Sequence, residues 1–500
     1  MMAKIDEQAL DEITRGIASH YPLFYIQSWE EERVERALAQ LSEQHYGDDR
    51  PIHIWTAAHG LNMGKKTVDG SKDPLKALEY IHNSKEEAIY LFKDLPAWFE
   101  NNNTLIRALR DLYYHNKNRD TYVFISYPLL NLPETLKKEM LLIDFNQPTE
   151  TEIYDHIRES LIDHGKVQLM TDDWAFRAAY AMKGLSLEEI DHLLLRILDR
   201  DDIDLEGILD EVHMEKGQIL KKESCLRFIP RISNIDEIGG LDNLKEWVNA
   251  RKDLFTRESF ESGVPLPSGI LFMGVSGCGK SLASKVIAST WELQLVRLDM
   301  NMVMSGTYGA PEFAFEEAVK MAETLSPVVL WIDELENSFG YDVGSHTGGN
   351  INIFSSFLTW MQEKPSSVFV TATANRIEMV PAEMIRKGRF DQVFFLDLPS
   401  EDERKDIFRI HITANGQDPE RFEIDMLAKV TKEWSGAEIE QAVRSARIDA
   451  YGEKRDFNSS DVFHSTSSIV PLSKTMEEQI RALRGWSFDR ATPASKGRRR

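Results

Sequence analysis

The sequence predicts an α/β fold: a parallel sheet with helices on both faces, a helical lid behind it, and a degenerate copy of the same α/β module in front. Three observations carry this expectation. Between Ser268 and Pro399 the apolar runs GILFMG, LQLVRLDM, SPVVLWIDEL, SVFVTATANR and QVFFLDLP alternate with stretches long enough for crossover helices, the pattern of a helix-covered parallel sheet. After Pro399 the apolar period becomes helical in EDERKDIFRIHI and SGAEIEQAVRSARIDAYGE, as a small helical lid requires. Before residue 150 the runs PLFYIQ, IHIW, AIYLFKDL, YVFIS and LLIDF repeat the strand rhythm more faintly.

Two further pairs of segments support an internal repeat. LPETLKKEMLLIDFNQP (132–148) aligns with VPAEMIRKGRFDQVFFLDLP (380–399), and LSLEEIDHLLL (185–195) aligns with WSGAEIEQAVR (434–444). The resulting division is a degenerate α/β module at 1–150, a helical lid-like segment and linker at 151–228, an α/β core at 229–399, a helical lid at 400–485 and a flexible basic tail at 486–500.

Bulk composition narrows the function classes. With 500 residues, 42% of them apolar, the chain has material for two or three compact units. Its formal charge of −23 repels phosphate backbones, and its only basic run is the tail KGRRR, so nucleic acid is disfavoured as a partner. No apolar run reaches the length of a membrane span, and the acidic start MMAKIDEQALDEITRG lacks a signal-peptide apolar segment. Cys225 and Cys278 are far apart and form neither a disulfide framework nor a ligand cluster.

The chemistry concentrates in GVSGCGKS, residues 274–281, which follows the run GILFM and opens the helical stretch SLASKVIAST. Gly274, Gly277 and Gly279 let the backbone fold its N–H groups around phosphate oxygens, and Val275, Ser276 and Cys278 complete the loop. The helix that continues through Leu282 adds the favourable partial charge of its N-terminus. Lys280 is then placed for the β and γ phosphates of ATP, and the Ser281 hydroxyl for Mg2+. VVLWIDEL ends in Asp333 and Glu334 at the C-terminal edge of a buried strand, where a doubly wound sheet binds its ligand. Asp333 suits the magnesium shell, and Glu334 suits a general base that activates water. Asn375, at the end of TATANR, would orient that water, and Arg386 and Arg389 in EMIRKGRFD would reach a neighbouring subunit's phosphates.

In this order GVSGCGKS, WIDELE, TATANR, IRKGRFD and SGAEIEQA resemble the AAA ATPase family over about residues 230–460. The resemblance implies a P-loop AAA module, the roles just given for Asp333, Glu334, Asn375, Arg386 and Arg389, and an ATP-driven homo-oligomer, usually a hexamer. It also implies that Ile238, Gly239 and Gly240, with Gly436 and Ala437, contact the adenine and ribose side. A longer resemblance, through SGILFMGVSGCGKSLASKVIA, SPVVLWIDELE, FLTWMQEK and IVPLSKTMEEQIRALRGW, is to the AAA proteins named for a hypothetical chloroplast reading frame. It implies a cytoplasmic location, or the stroma where the gene is plastid-encoded. Two readings of the ATPase stand side by side: a machine that remodels a protein partner, and a slowly turning regulatory switch or scaffold.

The chain departs from that pattern in several places. Where the first module would carry its phosphate loop stands SWEEERVERAL, with glutamates at 30 to 32 and no glycine cradle. Its counterpart of the acidic pair is Lys93, Asp94 and Leu95, and its arginine segment shrinks to Leu136, Lys137, Lys138 and Glu139. That half is expected to be structural or partner-binding. Thr307, Tyr308 and Gly309 stand where a threading ring carries its central-pore loop, with the aromatic one place late, and two readings stand open: a pore ring of Tyr308, or Tyr308 packed locally. The glycine-rich residues 340–350 suit a mobile loop near the pore. No HExxH pair marks an attached zinc protease.

Overall fold

Among the described residues each half of the chain forms a seven-stranded sheet, and the five parallel strands of the two sheets share one order. The computed structural model describes residues 7–47, 51–64, 66–166, 172–198, 207–208, 211–212, 214–218, 225–230, 238–255, 259, 262–336, 349–365, 367–376, 379–386 and 388–496. They divide into two compact units, 1–203 and 204–500.

The first unit holds β1 (Leu23–Gln27), β2 (His53–Thr56), β3 (Gly60–Met63), β4 (Lys66–Thr67), β5 (Ile89–Lys93), β6 (Tyr122–Tyr127) and β7 (Leu141–Asp144), ordered β4-β3-β2-β5-β6-β1-β7. The second holds β8 (Leu226–Ile229), β9 (Gly269–Gly274), β10 (Gln294–Leu298), β11 (Val328–Ile332), β12 (Val368–Ala374), β13 (Gln392–Leu396) and β14 (Thr492–Pro493), ordered β14-β13-β9-β12-β11-β10-β8. Five strands in each sheet are mutually parallel: β7-β1-β6-β5-β2 and β13-β9-β12-β11-β10. Ranked by position in the chain, both sets read fifth, first, fourth, third, second. The repeat expected from faint strand patterns is therefore present as topology.

The aligned segments also correspond locally. Short 3-10 turns, Glu134–Leu136 and Ala382–Ile385, each precede the fifth strand. Ser186 with Glu189 and Ser435 with Glu438 make matching caps, in which each hydroxyl accepts the glutamate's N–H and each carboxylate accepts the serine's.

Both sheets are buried on two faces, which is why their strands read as nearly continuous apolar runs. In the second unit Val328, Leu330 and Ile332 pack with Leu271, Met273 and Val370. On the other face the Trp291 and Phe369 rings meet edge to face at 4.7 Å, and Trp247 stands against Phe394. Each fully buried side chain of this size contributes roughly 1.5–3 kcal/mol. The lid helices Glu401–Ala414, Ile424–Val430, Gly436–Gly452 and Ser459–Ser468 enclose their own core of Phe408, Leu427, Trp434, Val443 and Val462.

Three boundaries differ from the sequence expectation. The helix Glu477–Ser487 packs on the α/β core rather than within the lid: Ile480 meets Val275 and Leu398, and Arg484 pairs with Asp397 at 2.9 Å. The described part of the tail, 486–496, is docked rather than flexible. Thr492 and Pro493 pair with Phe394 and Phe395, Ala494 is fully buried, and Lys496 pairs with Glu246. Burial of one small residue and a two-residue strand leave no periodic signal to read. Last, β8 joins the second sheet antiparallel to β10, and Lys216 donates to the Leu325 carbonyl at 3.2 Å. Lys216 and Leu226–Ile229 thus belong with the second unit and not with a single segment 151–228.

Candidate active site

The phosphate loop leaves the end of β9 and turns into the helix Lys280–Thr290. Gly274 has φ +146°, and a side chain there would strike the Leu396 carbonyl oxygen on the adjacent β13. That close approach requires glycine. Val275 donates its N–H to the same carbonyl at 3.1 Å. Gly277 and Gly279, at φ +77° and +90°, take left-handed conformations that turn successive N–H groups inward. Ser276 is exposed, Ser281 and Leu282 are half-buried, and the Cys278 side chain lies against Val275, Leu398 and Ile480.

The lid reaches this loop directly. Ala437 donates its N–H to the Gly277 carbonyl at 3.0 Å, and a side chain at Gly277 would come within 3.0 Å of Ser435 and Ala437. Gly436 and Ala437, expected from resemblance to lie on the ribose side, thus sit at the N-terminus of the helix Gly436–Gly452 and touch the loop.

Lys280 is 6% exposed, and its ammonium donates to the Gly274 and Val275 carbonyls at 2.9 and 2.8 Å. Burial pushes its pKa down to about 8, against the upward pull of Cys278 and of the Glu336, Asp333 and Glu334 carboxylates. A buried cation held by two neutral carbonyls is costly unless an anion joins it. The loop fits a phosphate group on that ground.

The acidic pair follows the tip of β11. Asp333 Oδ1 accepts the Thr373 hydroxyl at 2.6 Å, and that hydroxyl oxygen in turn accepts the Glu334 N–H at 3.0 Å. Glu334 is exposed with φ +48°, a left-handed conformation unusual for a residue with a side chain. The hydroxyl bond to its N–H fixes this kink, which turns Glu334 off the strand line. Two residues on, Glu336 is buried and accepts the Asn375 N–H at 2.8 Å. Burial raises the Glu336 carboxyl above its ordinary value, with main-chain N–H groups, including those of Asn375 and Arg376, opposing the rise. Thr373 and Glu336 were not singled out in the sequence. Threonine within TATANR reads as an ordinary strand former, and nothing in the spacing distinguishes Glu336 from a solvated acid.

The residues expected on the adenine side lie between the lid and the docked tail. Ile238 is buried, Gly239 lies against Ile407, and Gly240 lies against the Glu403 carboxylate. Glu403 accepts N–H groups from Leu241 at 3.3 Å and Ser400 at 2.8 Å, and the Ser495 hydroxyl at 2.5 Å. One carboxylate therefore joins the loop at 238–241, the first lid helix and the docked tail. The two arginines part company: Arg386 is exposed, whereas Arg389 is half-buried and its guanidinium donates to the Glu383 carbonyl of its own chain. Tyr308 is 37% exposed between the helices Met300–Met304 and Pro311–Thr324. Of the glycine-rich loop at 340–350, residues 340–348 lie outside the described residues.

A glycine loop closing on a buried lysine at the tip of a parallel sheet, with a helical lid against it, defines a P-loop nucleotide-binding module. Residues 270–398 match the ATPase family associated with various cellular activities (AAA), and residues 9–145 match the SpoVK-like AAA ATPase, N-terminal domain. The AAA domain-containing protein ycf46 of Pyropia yezoensis is 35% identical over 488 residues, covering 96% of this chain and 98% of that protein. Its namesake in Guillardia theta is 34% identical over 484 residues, covering 94% and 93%. ATPase family gene 2 protein homolog A of Homo sapiens is 28% identical over 265 residues, 51% of this chain and 29% of that protein. The chain belongs to the AAA ATPases, within the ycf46 group.

Proposed function

We propose that the chain binds Mg-ATP at Gly274–Ser281 and hydrolyses it as a homo-oligomer, a hexamer, to remodel a protein partner in the cytoplasm or the plastid stroma. The observation that carries this reading is the Thr373 hydroxyl bound to both Asp333 and the Glu334 main chain, in a site whose carboxylates act on buried Lys280. Lys280 and the loop N–H groups bind the phosphates, and the lid contact through Ala437 holds the loop closed. The Ser281 hydroxyl and Asp333 carboxylate are hard oxygen donors of the kind Mg2+ prefers. Bound there, the ion would supply charge neutralisation to the phosphates. Glu334 takes the proton of the attacking water, and Asn375, held through its main chain by Glu336, positions that water. Arg386, which is exposed, serves a neighbouring subunit in this reading. Arg389 would serve one after releasing the Glu383 carbonyl.

Lys280→Ala tests the phosphate assignment by calorimetry. ATP affinity should fall roughly hundredfold or more, the scale of a lost charge-assisted contact; unchanged affinity would remove the loop from the account. Sedimentation with Glu334→Gln and ATP tests assembly, and a monomer at saturating ATP would contradict the ring. Turnover stimulated by a protein substrate supports remodelling over a switch.

A further inference from the structure

The first unit has a tip of its own. Ser28 donates its N–H to the Tyr127 carbonyl at 3.2 Å, Gln27 reaches the Pro128 carbonyl at 3.3 Å, and Asp94 donates to Ser126 at 3.1 Å. The chains leaving β1, β5 and β6 therefore emerge side by side at the C-terminal edge of the parallel strands. Asn131 ties them together, its side chain donating to Pro96 at 3.1 Å and its N–H to the Tyr25 hydroxyl at 3.1 Å. On this braced edge Trp29 is 68% exposed, Trp98 43%, Leu129 60% and Leu130 53%.

In a doubly wound sheet this edge is where ligands bind, yet here it cannot take a phosphate. Glutamates 30 to 32 stand at the N-terminal end of the helix Glu31–Tyr46, so its partial positive charge is already met by the chain's own acids. The segments 28–32, 94–100 and 128–131 hold five carboxylates and no lysine or arginine. Glu30 pairs with Arg33 at 2.9 Å and Glu31 with Lys93 at 2.6 Å, and Glu32 and Asp94 are exposed. Burial and the neighbouring Glu31 charge raise the Asp94 carboxyl above its ordinary value, against Lys93.

Two large exposed aromatics and two leucines, gathered on rigid loops, form an apolar surface of the kind that carries binding energy. Its acidic rim selects the occupant. Nucleic acid and anionic lipid, both negatively charged, are repelled by it. We propose that the C-terminal edge of the first sheet, around Trp29, Trp98, Leu129 and Leu130, docks a lysine- and arginine-bearing apolar segment of another protein. The site is separate from the phosphate loop and its occupancy requires no hydrolysis.

The test uses the full chain and two fluorescent synthetic peptides of equal length, one alternating leucine with arginine, the other leucine with glutamate. Anisotropy should show saturable binding of the basic peptide, weakened by added salt, and no binding of the acidic one. Trp29→Ser with Leu129→Ser should weaken binding at least about tenfold, and Glu31→Gln with Glu32→Gln should weaken it and flatten the salt dependence. Tyr451→Ser, at an 82% exposed lid residue, should leave binding unchanged. Far-UV circular dichroism and basal ATPase should match the unsubstituted chain in every variant. Absent binding, equal binding of the two peptides, or binding indifferent to the Trp29 and Leu129 substitutions would overturn the proposal. So would an oligomer that dissociates with those substitutions while peptide affinity stays constant, because the edge would then be a subunit contact.

Discussion

Thr373 Oγ1 stands 2.6 Å from Asp333 Oδ1 and accepts the Glu334 N–H at 3.0 Å with the same oxygen. One hydroxyl from β12 thus sets the position of both acids beyond β11. Thr373→Val keeps the shape and the strand preference but removes both bonds. A hydrogen bond to a charged group is worth about 1.5–3 kcal/mol, so kcat should fall roughly tenfold to hundredfold with KM for ATP little changed. Thr373→Ser should restore most of the rate. Equal kcat in the valine variant would show that the hydroxyl does not position the acids.

Glu336 is buried beside that pair and accepts the Asn375 N–H at 2.8 Å. Glu336→Gln retains an acceptor and should be mild. Glu336→Leu strands the N–H at a cost of about 1–3 kcal/mol, which should lower the urea midpoint of the full chain and slow turnover together. A leucine variant as stable and active as the glutamine variant would remove the link between Glu336 and Asn375.

A chain ending at Ala491 loses β14, the Ala494 carbonyl that accepts the Asn243 and Leu244 N–H groups, and the Ser495 contact to Glu403. Its Tm should fall, with a stability loss of about 2–4 kcal/mol from several main-chain bonds of about 1 kcal/mol each. ATP affinity should weaken too, because Glu403 also contacts Gly240 and Leu241. An unchanged Tm would mean that the docked tail contributes nothing to the fold.

His53 offers a pH test of the first unit. Its ring is 5% exposed and lies 5.1 Å from the Tyr90 ring, and burial lowers its pKa below 6.5, against the upward pull of Glu86. The unfolded chain therefore binds the proton more readily. The neutral ring's contribution is fully present above the ordinary histidine value and is lost as pH falls through the lower folded value. The urea midpoint of the full chain should drop on mild acidification, and His53→Phe should flatten that drop. An equal drop in both proteins would place the titration elsewhere.

The phosphate loop was legible because its demands are local. Gly274, Gly277 and Gly279 each need a backbone that other residues reach poorly, and Lys280 follows them directly. Asp333 and Glu334 were legible because a buried strand announces its own end. Thr373 was not, since its role depends on β12 lying next to β11, a relation across the sheet that the residues around it do not encode. The fold of Arg389 back onto Glu383 and the seating of Thr492–Pro493 against β13 are likewise tertiary facts. The first unit gives the converse case: its strand order is shared, but the sequence after β1 carries glutamates at 30 to 32 and no glycine loop.

Central to the proposed function is Glu334 as the base beside the phosphate loop. Its most direct test is Glu334→Gln, with ATP affinity measured by calorimetry and turnover by steady-state phosphate release. Affinity should stay within about threefold of the unsubstituted chain while kcat falls at least about a hundredfold, the scale of a lost general base. Hydrolysis at the unsubstituted rate would contradict the assignment.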